Sequence, residues 1–142
     1  MPAIHATAVA LDTWLRHGGP VGERQRALID RLRSEIAGQI PDVDIAGDPV
    51  RRVPHLLTFS ALYVDGETLT LELDKAGFAV ASGSACSASS EHPSHVLAAM
   101  GALTHGNVRI GLVWTTVAEQ VDRFLAALPP IVAELRSRVG AS

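Results

Sequence analysis

Both ends of the chain carry apolar residues at the spacing of amphipathic helices, and only short runs between them are prone to form strands. In the first part, Leu28, Leu32 and Ile36 recur every fourth residue. Towards the other end the apolar positions are Val117, Val121, Phe124, Leu125, Leu128, Ile131, Val132 and Leu135. Helices with one apolar stripe must bury it against another layer. We therefore expect long terminal helices that cover one face of a small sheet.

Glycine and proline mark where we expect the helices to begin and end. A first helix from Pro2 should end at Gly18-Gly19-Pro20, because paired glycines before a proline are a strong stop. A second helix should run from about Gly22 to Ala37. Thr116 to Glu119 has the pattern of a capping box at the start of the final helix. Pro129-Pro130 should kink that helix or divide it in two.

The middle of the chain alternates between β-prone runs and short helical patterns. We predict strands at Val43–Ala46 (weakly), His55–Ala61, Phe78–Ala81 and Asn107–Trp114, and helices from Asp65 through Ala76 and from His95 to Met100. The predicted fold class is α/β of the α+β type, with a small and mainly antiparallel sheet packed against long N- and C-terminal helices. Residues 1–142 are expected to form a single domain.

Composition excludes several classes of protein. Of the 142 residues, 47% are hydrophobic and 19% charged, which argues against disorder. A net charge of -3 gives no electrostatic case for nucleic acid, and no apolar run is long enough to span a membrane. With no signal-peptide pattern and a single cysteine, which rules out an internal disulfide, we expect a cytoplasmic protein.

The single cysteine lies in a segment that cannot fill a core. Ser82 to Ser90 contains only serine, glycine, alanine and Cys86, so we predict a loop. A lone cysteine is often a buried small apolar residue, whereas a cysteine in a loop of small side chains is accessible enough to act as a nucleophile. Composition alone leaves these two interpretations open.

Several segments together resemble one enzyme family. Ser82-Gly-Ser-Ala-Cys-Ser is similar to the signature of group I cysteine desulfurases, relatives of the class V aminotransferases. Val64-Asp-Gly-Glu-Thr-Leu resembles the helix start before that motif, and Pro93-Ser-His-Val-Leu resembles the helix after it. Asn107-Val-Arg-Ile resembles the next strand, and the Gly47-Asp48-Pro49 turn also has a counterpart. The resemblance runs along the whole chain and is to the C-terminal small domain of these enzymes.

The resemblance implies a role for two residues and one loop. Cys86 would attack the substrate sulfur as a thiolate and carry it as a persulfide to an acceptor protein. A flexible loop of Ser82, Gly83, Ser84, Ala85 and Ser87 would let it move. Arg109 would bind the substrate carboxylate, for which a guanidinium is well suited. In the complete enzyme a separate large domain holds pyridoxal phosphate on a lysine.

That cofactor domain is absent from this chain. Its only lysine is Lys75, whose surroundings do not resemble the cofactor site, so we expect the chain alone neither to bind pyridoxal phosphate nor to desulfurate cysteine. Another departure is Gly111-Leu-Val-Trp114, where the family usually has Ser-Leu-Gly-Arg. The chain could be a fragment, a subunit of a split enzyme or a stand-alone sulfur carrier, and its exposed helices should make it self-associate.

A metal site is the weaker interpretation of the histidines that follow the cysteine. Cys86, His92 and His95 have a spacing that a thiolate–imidazole site could use, and His105 follows. Structural zinc sites usually bring paired cysteines at short spacing, which this chain lacks. We therefore predict no metal.

Overall fold

The computed structural model describes residues 2–82 and 95–141. The elements in chain order are α1 (Pro2–Gln39), β1 (Val43–Ala46), β2 (Leu56–Ala61), α2 (Gly66–Lys75), β3 (Ala81–Ser82), α3 (His95–Ala99), β4 (Asn107–Gly111) and α4 (Ala118–Arg138). The described strands form one sheet in the order β1-β2-β4-β3, and every pairing in it is antiparallel. This confirms the predicted α/β class with long terminal helices.

The core lies between one face of the sheet and the three longer helices. Leu57 and Phe59 of β2 face it together with Val108 and Ile110 of β4. The helices contribute Ile29, Leu32, Ile36, Leu69, Leu73, Leu128 and Val132, among others. Arg109 and Gly111, which alternate with Val108 and Ile110 on β4, are exposed. The sheet therefore has a covered face and an open face.

The N-terminal helix corrects one prediction. α1 is continuous from Pro2 to Gln39 and contains Pro20, so the predicted break at residues 18–20 is wrong. The C-terminal half is held by its buried side chains, and the N-terminal half extends from it into solvent. A proline removes one intrahelical hydrogen bond, and in an exposed segment water can satisfy the freed carbonyl.

β1 has its predicted bounds, whereas the other described strands are shorter than their sequence pattern suggests. Of residues 78–82, Ala81 and Ser82 pair with β4, and residues 78–80 are not strand. Likewise β4 ends at Gly111 instead of Trp114, because its partner β2 begins opposite it at Leu56. Apolar residues can be buried without forming strand hydrogen bonds. An apolar run in the sequence can therefore be longer than the strand that it contains.

The structure confirms the predicted start of α2 and moves the start of α4 by one residue. Asp65 is the N-cap of α2 and accepts the backbone N–H of Thr68 at 2.8 Å, as expected. The final helix begins one residue later than predicted, because the side chain of Gln120, not Glu119, accepts the N–H of Val117 at 3.0 Å. α4 continues through Pro129 and Pro130 as one helix, so they do not divide it. Among the described residues, no helix is both long and apolar enough to cross a membrane.

Candidate active site

The cysteine motif begins at the edge of the sheet beside Arg109. β3 pairs with β4 so that Ala81 lies opposite Arg109 and Ser82 opposite Val108. Ser82 is therefore a strand residue, which corrects its assignment to the flexible loop. Gly83, Ser84, Ala85, Cys86 and Ser87 lie outside the described residues. The described part of the chain thus places the start of the motif next to the predicted substrate arginine.

Arg109 lies on the open face of the sheet between two small neighbours. Its cross-strand partners are Thr58 on β2 and Ala81 on β3, both half-buried. Directly opposite side chains of an antiparallel pair share a face, with Cβ atoms about 5 Å apart. To the other described residues, the exposed Arg109 side chain makes neither a hydrogen bond nor an ion pair. Its guanidinium donors are therefore available to a ligand on this face.

A tight turn fixes the start of the strand that carries Arg109. Gly106 has a φ of 68° and its carbonyl accepts the N–H of Ala61 at 3.1 Å. A Cβ at Gly106 would lie 2.4 Å from the carbonyl oxygen of Ala61 and 2.5 Å from that of Val64. Gly66, the first residue of α2, approaches Asn107 as closely, with 2.7 Å between its ideal Cβ and the carbonyl oxygen of Asn107. Glycine is needed at both positions for backbone to meet backbone.

Side chains from the sheet hold the segment before that turn. The Ser60 hydroxyl donates to the carbonyl of Leu103 at 3.0 Å, and an Asp44 carboxylate oxygen accepts the N–H of Leu103 at 2.9 Å. The Asn107 amide donates to the carbonyl of Thr104 at 3.0 Å. The connection between α3 and β4 therefore lies against one end of the sheet's open face.

Helix α1 holds the segment that follows β4. The buried side chain of Gln25 donates to the carbonyl of Leu112 at 3.1 Å, and Arg24 donates to that of Trp114. Thr116 Oγ1 accepts the N–H of Val113 at 3.0 Å. These contacts fix the stretch in which the chain departs from the family pattern. Sequence reasoning missed Gln25, although its place on the apolar stripe, four residues before Ile29, was a signal that it is buried.

Two arginines of α1 bind the backbone of the connection between β1 and β2. Arg26 donates to the carbonyls of Val50 and Arg52, and Arg33 to those of Ala46 and Gly47. Burial is the main cause that lowers the pKa of Arg33, with the charge of Arg52 as the second cause. These arginines tie the turn between β1 and β2 to the helix, on a different part of the molecule from Arg109.

The remaining candidates do not form a second site. His95 begins α3, and His105 lies in the turn before β4. Among residues 2–82 and 95–141, no group of three or more histidine, cysteine or acidic side chains is arranged to hold a metal. Cys86 and His92 of the weaker metal hypothesis lie outside that part of the chain.

The only lysine does not fit a pyridoxal phosphate site. Lys75 is in the last turn of α2, its side chain is 69% exposed, and its Nζ lies 3.0 Å from a carboxylate oxygen of Glu72. An exposed, ion-paired ammonium lacks the desolvation that makes a lysine a Schiff-base nucleophile. Lys75 therefore does not match the cofactor lysine that the family resemblance implies.

Comparison with known proteins identifies the family. The model of the class-V aminotransferases matches residues 6–124. A cysteine desulfurase from Trichormus azollae is 36% identical over 140 residues, which cover 96% of this chain and 35% of that protein. The cysteine desulfurase NifS from Azotobacter vinelandii is 41% identical over 114 residues, or 78% of this chain and 28% of NifS.

Solved structures show the same fold. A NifS-like protein superposes with a TM-score of 0.76 at 24% identity, covering 89% of this chain and 32% of that one. A NifS-like protein from Rickettsia africae gives a TM-score of 0.66. The chain spans about a third of the length of these relatives. It belongs to the cysteine desulfurase family of the class-V aminotransferases.

Proposed function

We propose that this chain is the C-terminal portion of a pyridoxal-phosphate-dependent cysteine desulfurase, which converts L-cysteine to L-alanine and passes the sulfur to an acceptor protein. In this proposal the chain does not desulfurate cysteine without the portion that holds the cofactor. The observation that carries it is the exposed guanidinium of Arg109, which has no hydrogen-bond or ion-pair partner among the described residues and lies beside the strand from which the cysteine motif begins.

Arg109 would bind the carboxylate of the substrate. The small side chains of Thr58 and Ala81 leave space on either side of its guanidinium, which can hold a carboxylate by two parallel hydrogen bonds. The cofactor-bearing portion must then lie over the open face of the sheet. Val113 and Trp114, just beyond β4, are 63% and 43% exposed and would contribute apolar contacts to that interface.

Cys86 would take the sulfur. Its thiolate attacks the sulfur of the substrate, an S–S bond forms, and the C–S bond of the substrate breaks. The electron pair of that bond stays on the substrate carbon, which takes up a proton to give alanine. The terminal sulfur of the persulfide then passes to a thiol of the acceptor protein. Family relationship further suggests iron–sulfur cluster assembly as the use of the sulfur and the cytoplasm as the place.

Intact-mass spectrometry tests the proposal. The chain is incubated with L-cysteine and the cofactor-bearing portion of a relative, and separately with a small-molecule persulfide donor alone. We expect Cys86 to gain one sulfur atom in the first mixture. Gain from the donor alone, with none from the first mixture, would instead favour the alternative of a stand-alone sulfur carrier. No gain in either mixture would contradict both functions.

Two variants separate the roles of the site residues. Cys86→Ser should abolish sulfur uptake while substrate binding by the reassembled enzyme persists. Arg109→Gln should raise the KM for L-cysteine by about tenfold or more, since a charge-assisted bidentate contact contributes about 1.5–3 kcal/mol. Arg51→Gln is the matched control, because the Arg51 side chain is 90% exposed and lies far from Arg109 in sequence, outside the strands that form the site. Equal effects of the two arginine variants would contradict the assignment of Arg109.

A further inference from the structure

Three guanidinium groups lie where α1 packs against the connection between β1 and β2. Arg26 and Arg33 on α1 donate to carbonyls of this connection at distances between 3.2 and 3.4 Å. Arg52, which belongs to the connection, binds the carboxylate of Asp30 on α1. Residues 26, 30 and 33 share one face of the helix, because they are four and three residues apart. We define Arg26, Arg33 and Arg52 as the arginine cluster.

The cluster contains a buried donor without an acceptor. The side chain of Arg52 is only 8% exposed. Its Nε donates to the carbonyl of Pro49 at 3.2 Å and its Nη2 donates to Asp30, whereas its Nη1 is buried and has no hydrogen-bond partner among the described residues. Buried polar groups almost always have a partner, and a charged group left without one is especially costly. This nitrogen therefore requires an acceptor that those residues do not supply.

The cluster also carries more positive than negative charge. In the described part of the chain, Asp30 forms its one ion pair. Asp48 lies nearby, but its carboxylate is bound by two backbone N–H groups and lies 3.6 Å from the side chain of Arg51. Burial, and then the charge of Arg52, lower the pKa of Arg33. A neutral water molecule at Nη1 would leave this excess of positive charge unchanged, whereas an anion would offset it.

We propose that the arginine cluster binds a divalent tetrahedral oxyanion, of the chemical class of phosphate and sulfate. A guanidinium holds such an anion through two parallel hydrogen bonds, which are strong because both partners are charged. Each guanidinium has five N–H groups, and the bonds to the carbonyls of Ala46 and Gly47 use two of those on Arg33. The anion accepts from the remaining donors of Arg33 and from Nη1 of Arg52.

A divalent tetrahedral anion fits this cluster better than a carboxylate does. The donors come from two segments, the helix and the connection, so they approach the anion from different directions. A carboxylate offers two oxygen atoms in one plane, whereas phosphate and sulfate offer four that point in different directions. Three guanidinium groups beside the carboxylate of Asp30 leave two positive charges, which a divalent anion offsets.

Entry of the anion requires only local movement. Arg26 is exposed and Arg33 is half-buried, so their long side chains form the outer part of the cluster. Their bonds to the carbonyls are longer than the usual optimum and are therefore weak enough to be exchanged for bonds to an anion. The cluster includes no residue that we assign to desulfuration. This inference therefore goes beyond the proposed function and does not depend on it.

Thermal unfolding of the whole chain tests the site. Phosphate and sulfate are compared with chloride at equal ionic strength, because screening of exposed charges then acts alike in all three salts. With a dissociation constant on the order of 1 mM, about 20 mM phosphate should raise the Tm by about 4 °C relative to chloride. Equal Tm values in the three salts would overturn the proposal.

Two variants of α1 distinguish this site from general stabilisation by anions. Arg33→Gln should weaken phosphate binding at least tenfold, as measured by the phosphate dependence of the Tm, because it removes charged donors. Arg31→Gln is the matched control, since it changes the charge equally on the same helix. Arg31 pairs with Asp122, so its variant should change the dissociation constant less than twofold. Equal effects of the two variants would indicate exclusion of the anions from the whole protein surface and overturn the proposal.

A third variant tests the buried nitrogen itself. Arg52→Lys keeps a positive charge beside Asp30 but removes Nη1, so it should also weaken phosphate binding at least tenfold. Unchanged phosphate binding by a folded Arg52→Lys chain would overturn the proposal. If this variant does not fold, the comparison of Arg33→Gln with Arg31→Gln decides.

Two further measurements locate the anion. Arg109→Gln should bind phosphate as the unaltered chain does. Loss of binding in this variant, with binding retained in Arg33→Gln, would assign the anion to the open face of the sheet and overturn the proposal. Addition of a relative's cofactor-bearing portion should change the dissociation constant less than twofold. Abolished phosphate binding in that mixture would indicate that the portion itself supplies the acceptor for Arg52, which would also overturn the proposal.

Discussion

Replacement of Gly106 by alanine tests whether the turn before β4 fixes the site. Gly106 has a φ of 68°, which costs an alanine about 1–2 kcal/mol. Its Cβ would also lie within 2.5 Å of two backbone carbonyl oxygens, of Ala61 and Val64, which no side-chain rotation can relieve. The turn must therefore shift, which also weakens the 3.1 Å hydrogen bond from Ala61, worth about 1 kcal/mol. We expect Gly106→Ala to lose about 2–3 kcal/mol of unfolding free energy, the sum of these two contributions.

Gly101 provides the matched control. Its φ is 70°, but no atom lies within 4 Å of an added Cβ, so Gly101→Ala should lose only the strain of about 1–2 kcal/mol. Urea unfolding followed by far-UV circular dichroism measures the unfolding free energy of both variants. The two values are compared on condition that the dependence of this free energy on urea concentration has the same slope in both variants. Equal losses for the two variants would refute the close approach at Gly106. In the reassembled enzyme, Gly106→Ala should also raise the KM for L-cysteine, because β4 begins at Asn107 and carries Arg109.

Other variants test single contacts. Asp65→Ala should lose about 1 kcal/mol in the same urea assay, because it removes the N-cap of α2, while Asp65→Asn keeps an acceptor and should lose less than half as much. Gln25→Leu should lose about 1–3 kcal/mol, since it leaves a strand-end carbonyl without its donor, and no loss would contradict that bond. The N–H groups of Arg51 and then Val50 hold the pKa of Asp48 below its usual value, so its stabilisation is present at neutral pH and lost as pH falls through the folded pKa. Asp48→Asn should reduce that acid-side pH dependence, and an unchanged stability–pH profile would contradict it.

The helices and their faces were largely predictable, because apolar spacing reports directly which side of a helix is buried. The positions at Leu28, Leu32 and Ile36 and the N-cap at Asp65 are local signals of this kind. The continuity of α1 through Pro20 was not predictable. Glycine and proline indicate how much helix stability is lost locally, but they do not indicate whether the helical residues before and after them keep the helix continuous.

Sequence patterns did not predict the contacts between distant segments of the chain. Of the predicted strand at Phe78–Ala81, only Ala81 pairs with β4, and Ser82, which was predicted to lie in the loop, pairs beside it. The bond from Gln25 to the end of β4 joins positions 87 residues apart, and no local rule reports such a partner. The site itself was inferred from family resemblance, and of its predicted residues only Ser82 and Arg109 lie in the described part of the chain.

The arginines of this chain differ in how their donors are used, and the difference bears on function. Arg26 and Arg33 donate to backbone carbonyls of the turn between β1 and β2, so their guanidinium groups stabilise the fold itself. Among the described residues, Arg109 has no such acceptor, because its strand neighbours Thr58 and Ala81 carry no negative charge and the carbonyls beside it are used by the sheet. A guanidinium held on a rigid strand with unused donors loses little freedom when it binds a planar anion. That is the property a carboxylate site requires, and it supports the proposal that Arg109, which family resemblance singled out, binds the substrate.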